Sequence, residues 1–285
     1  MTIKVFQADP FAPLMPYAFE KEAIAKAGGE LIIGDCNTEA DTIAQAGDAE
    51  VILVTWKSVV TPAVMDALPK LRLVIRWGVG YDQIDAVAAA ARGIAVANAP
   101  AYASEDVAEQ TVALLMACSR RVAWFHERMR KGEWPAARSN PIYRLKGRTL
   151  GLIGIGRIAA AVAWRARGLG MNVIAYDPAL DDATIRARQA EPRSYDQVLA
   201  ESDFVSVHVP LSPATRGLVN AAAFAKMKKG AVVLNTSRGP VIDERAMIAA
   251  LESGHLGGAG LDVFETEPLP ADSPLRTMEH VVVTP

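Results

Sequence analysis

Short apolar, β-branched runs alternate along this chain with alanine-rich stretches of helical period. Residues 3–7, 31–33, 51–54, 71–75 and 94–96 read as strands. Helices are expected between them: at about 15–27, stopped by Gly28-Gly29; after Thr61-Pro62; and at about 82–91. Thr61-Pro62 sets a capping hydroxyl before a proline at the first helical position. A glycine turn, Gly78-Val79-Gly80, follows the fourth strand. Ser104-Glu105-Asp106 opens the longest helical pattern, running to about residue 131. Its first turn is acidic and its end basic, as the helix dipole favours. Residues 132–147, with Trp134-Pro135 and Asn140-Pro141, read as loop. A second series then places strands at 150–153, 172–176, 204–207, 231–235 and 258–263, with Ser194 and Gln197 as the capping pair of one helix. Continuous apolar strands separated by helices predict parallel sheets covered on both faces. The layout is two α/β domains, with the long helix at their junction.

Composition narrows the classes of function. The 285 residues are 51% hydrophobic and 22% charged, which excludes disorder as the dominant state and suits about two domains. A net charge of -2 carries no basic footprint for nucleic acid. Cys36 and Cys118 are too few for a disulfide framework or a four-ligand zinc site, so no metal is expected and a reducing compartment fits. The first residues, Met1-Thr2-Ile3-Lys4, lack a signal-peptide pattern, and no apolar run approaches the roughly 18 residues of a membrane span. The expectation is a soluble cytoplasmic protein with neither membrane nor nucleic-acid partner.

The sharpest local motif is Gly151-Leu152-Ile153-Gly154-Ile155-Gly156-Arg157-Ile158-Ala159. It places G-x-G-x-x-A at Gly154, Gly156 and Ala159, after a strand and opening a helix. Glycine at the first site permits a tight turn. At the second it admits a pyrophosphate onto the helix N-terminus, and a small third residue allows close helix–strand packing. Alone, the pattern is equally well explained as a plain turn. Asp177 sharpens it, lying 177 − 156 = 21 residues on, at the end of the next strand. A carboxylate there accepts from an adenosine ribose 2′-OH and repels a 2′-phosphate, which favours NAD over NADP. Arg238 follows another strand, where ligands bind in such sheets and where a guanidinium can grip a carboxylate by two parallel hydrogen bonds. A solvated loop arginine is the plain alternative. Asp262 and Glu267 follow a further strand, with helix capping as theirs.

Five stretches together carry a family resemblance: Arg76-Trp77-Gly78-Val79-Gly80-Tyr81-Asp82-Gln83-Ile84-Asp85, the fingerprint through Tyr176-Asp177-Pro178, His208-Val209-Pro210-Leu211, the Arg238 segment and the Glu267 segment. In that order, and over essentially the whole length, the chain resembles the D-isomer-specific 2-hydroxyacid dehydrogenases. The resemblance implies two Rossmann-like domains with parallel sheets: a flavodoxin-like substrate domain at 1–98, completed by a C-terminal segment, and an NAD-binding domain at 99–285. It implies NAD as cofactor, a small 2-keto or 2-hydroxy acid as substrate, and a homodimer through the helix starting near Ser104, whose apolar positions run nearly all round it.

The same resemblance assigns roles. Arg238 grips the substrate carboxylate and carbonyl, and Glu267 pairs with a histidine that moves a proton to or from the 2-keto oxygen while the cofactor exchanges hydride with carbon. Backbone N–H groups of Val79 and Gly80 receive the substrate carboxylate. From the residues alone, Lys57, with Trp56 and Trp77, is a candidate pocket residue, and buried packing explains the two tryptophans equally well. Gly154, Gly156, Arg157, Ile158, Asp177, His208, Pro210, Thr215, Thr236 and Asp262 are assigned to the cofactor. The family's histidine follows a Thr-Pro pair matched by Thr284-Pro285, so it is expected as the next residue, in a natural polypeptide that continues past Pro285. His126, His208, His255 and His280 do not match its place. Asn98-Ala99-Pro100-Ala101-Tyr102 has alanine where many members have glycine, as in the branch of C-terminal-binding proteins. An NAD(H)-sensing, corepressor-like protein is therefore the competing expectation, and retention of Arg238 with Glu267 favours the enzyme.

Overall fold

The computed structural model describes residues 2–9, 17–135 and 142–285. The described residues form two compact units, Met1–Ala103 and Ser104–Pro285, each built on a parallel sheet. The expected boundary after residue 98 and this division differ by residues 99–103. There the chain still bonds back to the first unit, Ala99 N–H donating to the Gly78 carbonyl at 3.1 Å.

The first unit runs β1 (Ile3–Gln7), α1 (Ala18–Lys26), β2 (Gly29–Ile33), α2 (Glu39–Ala46), β3 (Val51–Val54), α3 (Pro62–Ala67), β4 (Leu73–Arg76), α4 (Ala86–Ala91) and β5 (Ala95–Asn98). Its sheet order, β2-β1-β3-β4-β5, is the flavodoxin-like arrangement. Phe6, Ile52, Val54 and Val74 fill its core against Val64 and Met65 of α3. Thr61 caps α3 as its sequence predicts, accepting from Val64 N–H at 3.4 Å. Part of the first expected helix, residues 15 and 16, lies outside the described residues. Helix α2 was not expected. It starts from a capping box in which Thr38 and Asp41 each bond the other's backbone N–H.

The second unit contains α5 (Ser104–Arg120), α6 (Val122–Arg130), β6 (Thr149–Ile153), α7 (Arg157–Gly168), β7 (Asn172–Tyr176), α8 (Asp182–Ala187), β8 (Glu191–Pro192), α9 (Tyr195–Glu201), β9 (Phe204–Val207), α10 (Ala221–Lys226), β10 (Ala231–Asn235), α11 (Glu244–Glu252), β11 (Leu256–Leu261) and β12 (Val281–Val283). Sheet order is β12-β11-β10-β9-β6-β7-β8, so the chain reverses direction across the sheet between β6 and β9, the doubly wound pattern. Alternate strand residues serve opposite faces. Ile153, Val205, Val207, Val233 and Leu261 pack with α9, α10 and α11, whereas Leu150, Leu152, Phe204, Val232 and Leu234 pack with α5 and α7. Both faces are thus covered, which is why these strands read as unbroken apolar runs.

The long helix expected from Ser104 to about residue 131 is two helices. Arg121 takes a left-handed conformation, φ 53°, and separates α5 from α6. Its side chain is only 7% exposed, stacks over the Trp124 ring at 4.8 Å and donates to the Glu279 carbonyl at 3.2 Å. Those contacts hold a conformation that costs a non-glycine residue roughly 1–2 kcal/mol. The Asn140-Pro141 part of the expected loop lies outside the described residues.

One buried carboxylate organises the C-terminal edge of the first sheet. Asp9, fully buried, accepts backbone N–H bonds from Thr55 at 2.6 Å, Trp56 at 2.9 Å, Lys57 at 2.7 Å and Ser58 at 2.9 Å. It thereby closes the loop after β3 into an anion-holding nest. Asp9→Ala is expected to lower the unfolding free energy by roughly 3 kcal/mol or more, because it leaves several buried N–H groups without an acceptor. Urea denaturation measures this, and a loss below about 1 kcal/mol would contradict the role.

Candidate functional site

The C-terminal ends of six strands in the second unit lie in one register row. Tyr176 of β7, Ile153 of β6, Val207 of β9, Asn235 of β10, Leu261 of β11 and Val283 of β12 are successive partners. The next residue on each strand is Asp177, Gly154, His208, Thr236, Asp262 or Thr284. Backbone hydrogen bonds carry the ladder one step further at four of them: Gly154 N to Tyr176 O at 2.8 Å, His208 N to Ile153 O at 2.8 Å, Asp262 N to Asn235 O at 3.0 Å and Thr284 N to Leu261 O at 2.9 Å. Residues assigned from widely separated stretches therefore stand along one sheet edge, astride the reversal between β6 and β9 where open parallel sheets bind ligands.

Gly154 has φ 85°, and a Cβ there would lie 2.9 Å from Val209 Cγ1 and 3.1 Å from the His208 carbonyl. The turn therefore runs against the 208–210 segment because residue 154 has no side chain. At Gly156, which immediately precedes α7, a Cβ would meet nothing within 4 Å, and no side chain caps the helix. Open space above uncapped first-turn N–H groups is what a bound pyrophosphate requires, so the cradle fits a dinucleotide. Arg157 and Ile158 form the first turn, and Ala159 is fully buried against the sheet. Asp177 accepts from Ile155 N–H at 3.0 Å through Oδ2 and from Ala179 N–H at 3.0 Å through Oδ1.

The loop after β9 is closed by Thr215, whose hydroxyl donates to the Pro210 carbonyl at 2.5 Å and accepts from Ser212 N–H at 2.8 Å. The His208 imidazole contacts the Ser206 hydroxyl at 2.8 Å, and burial pushes its pKa down to about 4. Thr236 bonds Thr111 of α5 at 2.8 Å.

Asn235, 1% exposed, shapes the turn that carries Arg238. Its side-chain carbonyl accepts from Ser237 N–H at 3.0 Å and its amide donates to the Arg238 carbonyl at 3.0 Å, while Arg238 Nη1 donates to Ser237 O at 2.9 Å. A Cβ on Gly239 would fall 1.8 Å from the Phe264 carbonyl oxygen, so this turn abuts the loop after β11. Glu267, on that loop and exposed, accepts from Phe264 N–H at 2.9 Å. The Arg238 and Glu267 segments are thus neighbours through Gly239 and Phe264. Asp262 Oδ1 accepts from Gln110 Nε2 at 2.8 Å and from the Thr284 hydroxyl, and Gln110 also donates to Thr284 Oγ1 at 2.9 Å. Gln110 lies 152 residues from Asp262, and nothing in the linear pattern marks it.

In the first unit, Val79 and Gly80 follow β4, and the Val79 carbonyl accepts from Asn98 Nδ2 at 2.7 Å. Lys57 follows β3 with its ammonium on Asp35 at 3.1 Å and Asn37 at 2.7 Å. Trp56 is exposed, and Trp77 packs 6.0 Å from the Tyr17 ring. Of the other histidines, His126 is exposed on α6, and His255 contacts the Phe224 carbonyl at 2.8 Å. Burial, with Arg121 nearby, lowers the pKa of His280. A cavity of about 330 Å³, lined by Arg121, Trp124, Leu256 and His280, opens at the opposite, N-terminal ends of β10–β12 and includes none of the assigned residues. Among the described residues no group of acidic, cysteine and histidine side chains could hold a metal, and no helix is long and apolar enough to cross a membrane.

Residues 112–285 match the family model described as D-isomer specific 2-hydroxyacid dehydrogenase, NAD binding domain. The chain is 42% identical to a glyoxylate reductase of Korarchaeum cryptofilum over 85% of its own length and 74% of that protein. It is also 42% identical to a D-3-phosphoglycerate dehydrogenase of Mycobacterium leprae, over 85% of its own length and 46% of that protein. It spans about half the length of the D-3-phosphoglycerate dehydrogenases it matches. Among solved structures, D-lactate dehydrogenase from Aquifex aeolicus, complexed with NAD and lactic acid, superposes with a TM-score of 0.85 at 30% identity, covering 99% of this chain and 88% of that one.

The half-buried His208 gives a pH test. Its pKa falls from 6.5 to about 4, so the folded state holds the neutral ring. The unfolded chain then takes up the proton first on acidification, and this contribution to stability, intact above pH 6.5, is lost as pH falls through about 4. The imidazole resonances of His208 should titrate near pH 4, and titration near 6.5 would contradict the desolvation of its ring.

Proposed function

Because this chain belongs to the D-isomer specific 2-hydroxyacid dehydrogenase family and carries its NAD-binding domain, we propose that it is an NAD-dependent oxidoreductase interconverting a small 2-keto acid and its (R)-2-hydroxy acid. The observation that carries this reading is the single row of strand ends, which sets the dinucleotide cradle beside the adjoining Arg238 and Glu267 turns. In this reading Gly154, Gly156, Arg157 and Ile158 hold the pyrophosphate, and Asp177 the adenosine ribose. His208, Pro210, Thr215, Thr236 and Asp262 border the nicotinamide, with Asp262 oriented by Gln110 and Thr284. When bound, the cofactor supplies or accepts hydride at the substrate's C2.

Arg238 neutralises the substrate carboxylate and the negative charge that grows on the 2-keto oxygen during reduction. Glu267 is assigned to pair with a histidine and raise its pKa, so that the ring can give a proton to that oxygen and take it back in oxidation. In the first unit, the N–H groups of Val79 and Gly80 are assigned to the carboxylate, with Lys57 as a pocket cation. The setting is cytoplasmic, which suits the free thiols of Cys36 and Cys118.

NADH-linked reduction of glyoxylate and hydroxypyruvate tests the reading, and binding of NADH without turnover of any small 2-keto acid would overturn it. Arg238→Ala should reduce kcat/KM by roughly 10²–10³ with little change in NADH affinity. Arg238→Lys should recover little, because an ammonium lacks the planar two-point fork. Normal turnover in Arg238→Ala would remove Arg238 from the chemistry.

We further propose a homodimer through the helix that begins at Ser104. Ala108, Leu114 and Leu115 of α5 are used in the unit's own core, but Met116 of α5 and Val122 and Met129 of the following α6 stay exposed, and Trp134 just beyond α6 is 79% exposed. Large apolar side chains left exposed along this stretch suit a second copy. Sedimentation at micromolar concentration should give a dimer, and a monomer mass would contradict this.

A further inference from the structure

Ile155, the middle residue of the Gly154-Ile155-Gly156 turn, is held at both ends of its backbone. Its N–H donates to Asp177 Oδ2 at 3.0 Å, and its carbonyl accepts from Arg188 Nη1. Arg188 directly follows α8, where its own N–H bonds the carbonyls of Thr184 and Ile185, both at 3.1 Å. A residue's backbone N and O lie no more than about 4 Å apart. A guanidinium and a carboxylate therefore flank one residue of the cofactor turn.

The two groups do not form an ion pair with each other. Among the described residues Arg188 has no carboxylate at ion-pair distance, whereas nearby Arg186 is paired with Asp182 at 3.6 Å and Glu191 at 3.4 Å. Arg188 is half-buried and donates to the neutral Ile155 carbonyl. A guanidinium has further N–H groups in the same plane, so one bond to a carbonyl leaves donors for an anion.

We propose that Arg188 is a coenzyme-specificity residue: it holds the fingerprint turn through Ile155, and its charge sets how strongly a 2′-phosphate is refused. This rests on the assignment of Asp177 to the adenosine ribose. A carboxylate at that place repels a 2′-phosphate, while a guanidinium is the phosphate's natural partner. With both present the carboxylate decides for NAD and the cation softens the refusal. With the carboxylate removed, the cation is left to receive the phosphate.

The test is the ratio of NADPH to NADH affinity, measured by nicotinamide fluorescence titration in the unmodified protein, Asp177→Ser, Arg188→Gln, Arg188→Lys and the two double variants. Gln keeps an amide donor for the Ile155 carbonyl without the charge, and Lys keeps the charge. Taking the ratio within each variant cancels any general loosening of the turn. Asp177→Ser should raise the ratio by roughly tenfold to a hundredfold. Adding Arg188→Gln should take back about tenfold, the worth of one charge-assisted hydrogen bond, and adding Arg188→Lys much less.

If Asp177→Ser leaves the ratio unchanged, the ribose assignment fails and this inference with it. If Asp177→Ser raises the ratio but Arg188→Gln takes nothing back, the ribose assignment stands and the inference alone is overturned. A second measurement needs no change at residue 188. In Asp177→Ser, added salt should weaken NADPH binding more steeply than NADH binding, and equal salt dependence would overturn the proposal.

Discussion

Six parallel strands that end in the same register row are the constraint on which the rest of this site depends. Parallel pairing fixes each strand against its neighbour through evenly spaced bonds, and a slip of one residue would turn every side chain to the other face. Both faces of this sheet are packed with apolar side chains, so a slip would exchange the sets that meet the two helix layers and misfit the packing of both. Position along the edge is therefore set by core packing well below it. Asp177, Gly154, His208, Thr236, Asp262 and Thr284 inherit that position without needing contacts among themselves.

Beyond the last paired row the backbone loses its ladder, and its N–H and carbonyl groups need other partners. Side chains that the sequence places there supply them. Asn235 ties the turn after β10, Asp177 takes the N–H groups of Ile155 and Ala179, and Thr215 closes the loop after β9. Asp9 does the same at the edge of the first sheet with four N–H groups. These polar residues make the loops extensions of the sheet. A group standing on such a loop is preorganised, and little reorganisation is needed when charge develops beside it.

The strands were legible because each is a continuous apolar run bounded by turn residues, and Gly154, Gly156 and Asp177 because their spacing follows one strand–helix–strand unit. What escaped reading depends on distant contacts or on weak local signals. Helix α2 has a capping box whose third residue is Asp41, a less usual choice than Glu or Gln, and a low apolar content. The break at Arg121 has neither glycine nor proline to announce it, since it is held by Trp124 and the Glu279 carbonyl. Strand β8 has two residues, too few to form a pattern. Gln110 and Arg188 act on partners 152 and 33 residues away, a relation that exists once the sheet has assembled.

The turn at Arg238 shows how a side chain's task can be set by a neighbour that has none. Asn235 bonds fix the path of residues 235–238, and Gly239 then passes so close to the Phe264 carbonyl that any Cβ would overlap it. The loop after β11 is in turn held by Glu267 through the Phe264 N–H. One oxygen of Glu267 is thereby given to structure. A carboxylate has two, each able to accept more than one bond, so the group can orient its own loop and still accept from an imidazole. A partner such as glutamine at this position could not match it. Its amide oxygen could accept from Phe264 N–H, but its nitrogen would donate where the proposed imidazolium also donates, and the negative charge proposed to favour the protonated ring would be gone.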